Sequence, residues 1–308
     1  MKMVLLGAPD IGGAAFERWH DDVADGARQL GWDVDYRRVR DALVDDIVRA
    51  AAGADLLLWL RTASHNPIGD GHAMLRRIEQ AGTVTVGLHQ DLYWGIRQRE
   101  PRIGAEPWWT AQHVYTADGG TRDWTGRGVN HHWLPATWGT RYLGYGRPDP
   151  SVTAQAVFVG TYAKPVHGRH RQDLLSWAHR TWGARFLHIG ASARTRLWHR
   201  KLNDLYASVD VVLGDSAAGD RYWSDRVPRT LGRGGLLAYP RTEGLAEHGF
   251  TDEVMVLYDR GRFDQITDRL AQLDPAQRRA MTDAGIELVR ERHTWPVRLT
   301  QIAATVLP

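Results

Sequence analysis

Positively charged side chains stand where a strand pattern in the second half of the chain leads into a helix pattern. The loop that begins at Gly160, in "VGTYAKPVHGRHRQ", carries Lys164 and Arg169 just before the helix. A helix N-terminus offers free backbone N–H groups, and neighbouring cations add the charge that a phosphate group needs. This loop therefore favours binding of a diphosphate over the alternative, a solvated basic helix start.

A second stretch, "YWSDRVPRTLGRGGLLAYP", combines arginines with paired glycines directly before an apolar strand. Arg226 lies near the start of a short predicted helix, and Gly234 and Gly235 lead into the strand. Each glycine costs about 1 kcal/mol relative to alanine inside a helix. Packing alone therefore does not explain the pattern.

A proton acceptor is predicted in "GLHQDLYWG", after the fourth apolar strand of the first half. In an extended segment, His89 and Asp91 lie on the same side and can act as a base and its orienting partner. The structural alternative is equally weighted: Asp91 caps the next turn and His89 donates to a backbone carbonyl. Asp10 and His65 are the next candidates.

No metal site is predicted. Asp210 and Asp215, in "DVVLGDS", lie at opposite ends of a predicted strand, which does not suit Mg²⁺ or Mn²⁺. The adjacent histidines His131 and His132 point to opposite sides of a strand.

The elements that position these residues alternate between continuous apolar strands and helices, which is typical of parallel sheets covered on both faces. We predict two doubly wound α/β domains, residues 1–150 and 151–308, joined by the proline-containing linker "YGRPDPSVTAQ". Ligands of such sheets bind beyond the carboxyl ends of the strands.

The composition is that of a globular protein of 308 residues with a net charge of +3, a pI near 9.2 and no cysteine. The apolar N-terminal run is too short for a signal peptide and no run is long enough to span a membrane, so a cytoplasmic location is expected. The 14 tryptophans include several in polar contexts, such as "EPWWTAQH" and "RDWTGRG". Such rings can stack on a base or a sugar, but half-burial is the better interpretation of any single one.

The second half of the chain resembles the nucleotide-sugar loop of glycosyltransferases with two facing Rossmann-like domains, the GT-B architecture. More narrowly, it resembles the CgeB-like family of spore maturation proteins and related phage and actinobacterial glycosyltransferases. The family pattern is serine, one residue, arginine, two residues, glutamate, then leucine and paired glycines before a strand, followed by "GLE". The matching residues are Ser224, Arg226, Leu231, Gly234, Gly235, Gly244 and Leu245.

One position departs from this pattern. Arg229 stands where the family carries a carboxylate expected to hold the ribose, and Glu243 or Glu247 is the candidate substitute. The resemblance further implies that the last helix, residues 294–308, crosses back to the first domain. It also implies a set of donor-binding residues: Ser224, Arg226, Gly234, Gly235, Glu243 and Gly244. It covers the second half well and the first half only by architecture.

Together these features predict a metal-independent glycosyltransferase that has no cofactor and uses UDP-sugar or another nucleotide-sugar as co-substrate. The acceptor hydroxyl stays open between DNA carrying a hydroxylated base, a glycan, a peptide and a small metabolite. A non-catalytic protein that binds a nucleotide or another small ligand is the alternative.

Overall fold

The computed structural model describes residues 1–7, 19–61, 66–161, 167–190 and 199–307. The chain forms two units: unit 1 comprises Met1–Pro135 and Trp295–Pro308, and unit 2 comprises Ala136–Thr294. Residues 136–150 belong to unit 2, whereas the predicted boundary placed them in the first domain. The reason is local packing: the Gly144 amide donates to Gly232, and the Tyr145 hydroxyl bonds Thr282 and Asp283.

Unit 1 contains one sheet of six parallel strands in the order β2-β1-β3-β4-β5-β6. The strands are β1 Lys2–Gly7, β2 Asp33–Arg38, β3 Leu56–Leu60, β4 Val84–His89, β5 His113–Thr116 and β6 His131–Trp133. Strands β1, β3 and β4 are buried along almost their whole length because helices cover both faces of the sheet.

Within the described residues of unit 1, the α-helices that pack on this sheet are α1 Trp19–Gln29, α2 Val44–Ala51, α3 Gly71–Gln80 and α9 Trp295–Val306. Helices α2 and α3 pack over one face, and α1 and α9 pack over the other. Gly26 in α1 allows the close approach of α9, since a Cβ there would lie 2.7 Å from the Trp295 Cβ.

The tryptophans of "EPWWTAQH" and "RDWTGRG" are core residues. Trp108 and Trp109 are fully buried, and Trp124 is 6% exposed. Their rings pack on one another and on Tyr93 beneath the sheet. These rings are therefore not available to stack on a base or a sugar, in agreement with burial as the better interpretation of any single tryptophan.

Unit 2 contains five parallel strands in the order β8-β7-β9-β10-β11. The strands are β7 Ala156–Val159, β8 Phe186–Ile189, β9 Val211–Leu213, β10 Leu237–Pro240 and β11 Val256–Tyr258. The helices are α4 Gly168–Trp182, α5 Arg200–Ala207, α6 Arg226–Gly232, α7 Asp264–Gln272 and α8 Pro275–Arg292.

Both sheets are doubly wound, as predicted. The strand order reverses between β1 and β3 in unit 1 and between β7 and β9 in unit 2. A crevice opens at such a reversal because the flanking connections run to opposite faces of the sheet, and ligands bind there beyond the carboxyl ends of the strands. The two reversal points therefore define where each unit can hold a ligand.

The paired glycines end helix α6. The Gly234 amide donates to Leu231 and the Gly235 amide donates to Thr230, which is the Schellman arrangement. Gly234 has φ +75°, and a Cβ there would meet the Tyr145 ring at 2.5 Å. Gly235 packs closely on the side chains of Thr230 and Val212.

We predict that Gly234→Ala destabilises the protein by about 1–3 kcal/mol, because the substitution adds backbone strain and a clash with Tyr145. The control is Gly261→Ala, which has a similar φ of +91° but no atom within 4 Å of the added Cβ. Urea unfolding measures both. A loss in Gly234→Ala no larger than in Gly261→Ala would show that the Tyr145 contact contributes nothing.

Candidate functional site

A buried guanidinium lies at the strand-order reversal of unit 2. Arg226 begins α6 and is 8% exposed, and its Nη1 donates to the Val159 carbonyl at the end of β7. Its Cζ lies 4.7 Å from the centre of the Phe158 ring. Within the described part of the chain, its buried Nε donates to no acceptor. The site thus presents a positive charge with unused hydrogen-bonding capacity.

Glycines allow Arg226 to reach this position. Gly160 follows β7 with φ +153°, and a Cβ there would lie 3.0 Å from Nη2 of Arg226. Gly214 follows β9, and a Cβ there would lie 3.0 Å from Cδ of Arg226. The backbone on both sides of the reversal is therefore kept free of side chains around the guanidinium.

A buried ion pair stands beside Arg226. Arg171 in α4 is 2% exposed, and its Nε lies 3.0 and 2.9 Å from the two carboxylate oxygens of Asp215, which follows β9. Nη1 of Arg171 donates to the Thr161 carbonyl at 3.2 Å, so it also fixes the loop after β7. Although burial opposes the effect, Arg226 and Arg171 hold the pKa of Asp215 below its usual range.

Two guanidinium groups against one carboxylate leave an excess positive charge in this buried group. Burial and the proximity of Arg171 lower the pKa of Arg226, but an arginine stays protonated in proteins. An unmatched buried charge is costly unless an opposite charge pairs with it. The arrangement is therefore suited to binding an anion at the carboxyl edge of the sheet.

The other residues predicted to bind the nucleotide-sugar are not all close to Arg226. Arg169 is exposed on the first turn of α4, and Lys164 lies outside the described residues. Ser224 is adjacent to Arg226, and its amide donates to the Tyr239 hydroxyl at 3.2 Å. Sequence reasoning missed Arg171 as a binding residue, although it lies one turn beyond the predicted helix start.

Gly234 and Gly235 are not retained in the donor site. Helix α6 begins at the carboxyl edge of the sheet and runs antiparallel to the strands, so its C-terminal glycines lie near the amino ends of β9 and β10. A ligand bound at Arg226 would therefore lie at the opposite end of the strands from these glycines. Paired glycines ending a helix produce the same sequence signal as a ligand-binding loop.

The acidic residues after β10 are exposed and share one arginine. Arg221 pairs with Glu247 through both oxygens, at 2.8 and 2.5 Å, and lies 3.9 Å from Glu243. Gly244 stands between them with φ +86°. Arg229, in place of the family carboxylate, lies 3.5 Å from Asp225 and over the Trp138 ring. A ribose contact from Glu243 or Glu247 stays a prediction.

His89 and Asp91 lie at the carboxyl edge of unit 1, but not as a base and its orienting carboxylate. The Asp91 amide, not its carboxylate, donates to Nδ1 of His89 at 2.9 Å, and the carboxylate pairs with Arg99 at 3.0 Å. With Nδ1 accepting, the neutral imidazole carries its proton on Nε2 and is a donor there. Burial lowers the pKa of His89 to about 4, despite the nearby Asp91.

Two buried polar side chains at this edge were missed by the sequence reasoning. Gln90 is 2% exposed, and its amide group has no hydrogen-bond partner among the described residues. Asp118, two residues beyond β5, is 1% exposed, and its Oδ1 is likewise without a described partner. Each unpaired buried group costs about 1–3 kcal/mol. No periodic pattern marks such isolated loop residues.

The described ranges contain no group of three or more His, Cys, Asp or Glu side chains arranged to hold a metal ion. None of the helices in those same ranges is long and apolar enough to cross a membrane.

Comparisons with known proteins agree with this architecture. Residues 164–304 match the family model described as glycosyl transferase-like, and this range includes Arg171, Asp215 and Arg226. No curated protein sequence shows significant similarity to the chain.

Solved structures extend the similarity to the whole chain. An alpha-glucosyltransferase in complex with UDP has a TM-score of 0.67 and 8% identity, with 100% of both chains covered. HepE from Anabaena in complex with UDP has a TM-score of 0.60 and 14% identity, with 99% of both chains covered. Sucrose-phosphate synthase from Thermosynechococcus elongatus has a TM-score of 0.61 and 12% identity, over 99% of this chain and 98% of that one. At such identities the comparison shows the fold alone, which is the GT-B fold.

We predict that the free energy of unfolding falls between pH 6.5 and pH 4 by as much as about 3 kcal/mol on account of His89. The unfolded imidazole takes up a proton near pH 6.5, whereas the folded one resists protonation down to about pH 4. His89→Asn retains an acceptor for the Asp91 amide and should show a shallower pH dependence in urea unfolding. Identical slopes in the two proteins would show that the buried imidazole titrates normally.

Proposed function

We propose that the protein is a glycosyltransferase that takes its sugar from a nucleotide-sugar donor. The observation that carries the proposal is the buried Arg226 guanidinium, which lies at the strand-order reversal of unit 2 and whose Nε has no hydrogen-bond partner among the described residues. Arg171 and Asp215 fix its surroundings and leave an excess positive charge. A diphosphate supplies the missing negative charge and several acceptor oxygens.

The same charge can assist the reaction. When the bond between the sugar and the diphosphate breaks, negative charge grows on the departing oxygen. A guanidinium already buried and oriented beside that oxygen stabilises the developing charge without reorganisation of solvent. The N-terminus of α4, which begins after the loop that follows β7, adds backbone donors of the same polarity. Arg226 is therefore proposed to act in both binding and departure of the diphosphate.

We propose UDP-sugar as the first donor to test. Anabaena HepE was solved with UDP, with UDP and glucose, and with UDP-glucose, and the alpha-glucosyltransferase was solved with UDP. The glycosyl transferase-like match and the "SDRVPRTLGRGG" segment support membership of the CgeB-like family, as a narrower proposal. Arg229 in place of the family carboxylate is the main departure from it.

The acceptor is proposed to carry a free hydroxyl group. One similar structure is an alpha-glucosyltransferase in complex with UDP and a 13-mer DNA, which keeps DNA among the candidates. Two observations on unit 1 favour a smaller acceptor. Unit 1 contains 18 Asp and Glu residues against 16 Lys and Arg residues, so its net charge is slightly negative. The central tryptophans of unit 1 are also buried. DNA binding generally uses an excess of positive charge and exposed aromatic rings.

A non-catalytic nucleotide-binding protein is the second candidate, because Arg229 replaces the expected ribose-binding carboxylate. Such a protein would bind UDP through the same guanidinium and release no sugar. Release of UDP from UDP-glucose, alone or with acceptors added, separates the two candidates.

We predict that wild-type protein binds UDP and that Arg226→Ala weakens binding about 10- to 100-fold, as expected for loss of a charged hydrogen bond. The matched control is Arg180→Ala, which removes an exposed arginine from the last turn of α4 and should change affinity little. Arg226→Lys keeps the charge and should be intermediate. Isothermal titration calorimetry with UDP measures all four proteins, after thermal unfolding has shown that each is folded.

Two results would contradict the donor site. Failure of wild-type protein to bind UDP or any other nucleoside diphosphate would remove the proposed function. Equal binding by wild-type protein and Arg226→Ala would place the diphosphate elsewhere, and an equal loss in both alanine variants would indicate a general effect of charge.

We further propose that the reaction needs no divalent ion, because arginines take the place of a cation beside the diphosphate. UDP release from UDP-glucose should then persist in EDTA at the rate seen with added Mg²⁺. Loss of activity in EDTA with recovery on adding Mg²⁺ or Mn²⁺ would show that a metal ion is required.

A further inference from the structure

Asp118 is oriented by its surroundings in unit 1. It follows β5 at the carboxyl edge of the sheet, and its own amide donates to the Thr116 hydroxyl at 3.1 Å. Its Oδ2 accepts hydrogen bonds from the amides of Tyr93 at 2.5 Å and Trp94 at 3.3 Å. These bonds use one carboxylate oxygen and leave Oδ1 buried, with no hydrogen-bond partner in the described parts of the chain.

The charge state of this carboxyl is set mainly by burial. Burial raises the pKa of Asp118 to about 7, although the two amides and the nearby Arg122 and Arg99 act in the opposite direction. Arg99 also pairs with Asp91, whose negative charge partly offsets the effect of Arg99 on Asp118. A carboxylate with this balance exchanges a proton close to neutral pH, which is the property that a general base needs.

The position agrees with that role. Strand β5 pairs with β4, the Ala117 amide donates to the His89 carbonyl, and Asp118 therefore lies next to the edge where the acceptor base was expected. His89 itself uses Nδ1 to accept the Asp91 amide, so it presents a donor rather than an acceptor. Gly119 and Gly120 follow Asp118 and add no side chain beside it.

We propose that Asp118 is the catalytic residue that takes the proton of the acceptor hydroxyl, an inference that rests on the proposed glycosyltransferase activity. Oδ1 accepts the proton while the acceptor oxygen forms a bond to the anomeric carbon of the sugar. The bond from that carbon to the diphosphate breaks, and its electron pair leaves with the diphosphate oxygen. Asp118 then returns the proton to water.

The test compares wild-type protein with Asp118→Asn, whose amide oxygen can still accept the Tyr93 and Trp94 amides. The matched control is Asp123→Asn, since Asp123 also caps a turn by accepting an amide, that of Gly126 at 2.7 Å, but is exposed. UDP-glucose is the donor and water the acceptor, and UDP release is followed from pH 5 to pH 9.

Asp118→Asn should lower kcat about 100-fold or more while the Kd for UDP stays unchanged. The wild-type rate should decline below about pH 7, as Asp118 becomes protonated, and this decline should disappear in the variant. Asp123→Asn should keep the wild-type rate and pH profile. A purely structural role would lower stability in Asp118→Asn without removing the acidic decline.

A second measurement needs no acceptor. The folded pKa of Asp118 lies above the unfolded value near 3.9, so its contribution to stability is greatest at low pH and is lost as pH rises towards about 7. The urea midpoint of wild-type protein should fall over this window relative to that of Asp118→Asn. Equal pH dependence of unfolding, or wild-type UDP release by the variant, would overturn the assignment of Asp118 alone. Absence of UDP binding by wild-type protein would instead overturn the proposed function, and the assignment with it.

Discussion

The buried group of Arg171, Asp215 and Arg226 is the interaction on which the proposed chemistry depends. It joins the two loops that flank the strand-order reversal of unit 2, because Arg171 holds Asp215 after β9 and the Thr161 carbonyl after β7. Two positive groups and one negative group cannot neutralise one another in a buried site. The fold thus leaves an unneutralised positive charge at the strand-order reversal, where a doubly wound sheet has room for an anion.

Unit 1 presents the complementary chemistry at its own carboxyl edge. Several polar groups there are buried. Among the described residues, Gln90 and Asp118 retain unused hydrogen-bonding capacity, and buried Arg61 is paired with Glu106 at 3.1 Å. The difference between the units suits a reaction in which one substrate is a phosphate ester and the other a hydroxyl compound. The same α/β architecture serves both because the loops after the strands, not the strands, carry the functional side chains.

The fold was predictable from sequence because continuous apolar strands alternating with helices admit few arrangements. Arg226 was singled out from the sequence because an arginine at a helix start next to an apolar strand is a local signal, and its role in binding stays a proposal. Asp118 and Arg171 were not singled out, because their burial results from contacts with residues 24 or more positions away in sequence. Gly234 was assigned to the ligand because an αL helix end and a ligand loop favour the same residue type.

Unit 2 is one continuous segment, whereas unit 1 is assembled from two segments that flank it. Helix α9 covers one face of the unit 1 sheet with Trp295, Leu299 and Ile302, all buried. During synthesis, the apolar face made by β1, β3 and β4 can therefore be fully covered only after α9, some 200 residues later in the chain, has been made. Unit 2 can complete its core first, since domains generally fold as units as they emerge. The nascent chain consequently carries a sheet with one face only partly covered, by α1, through most of translation, and this exposed apolar surface is buried only when α9 docks.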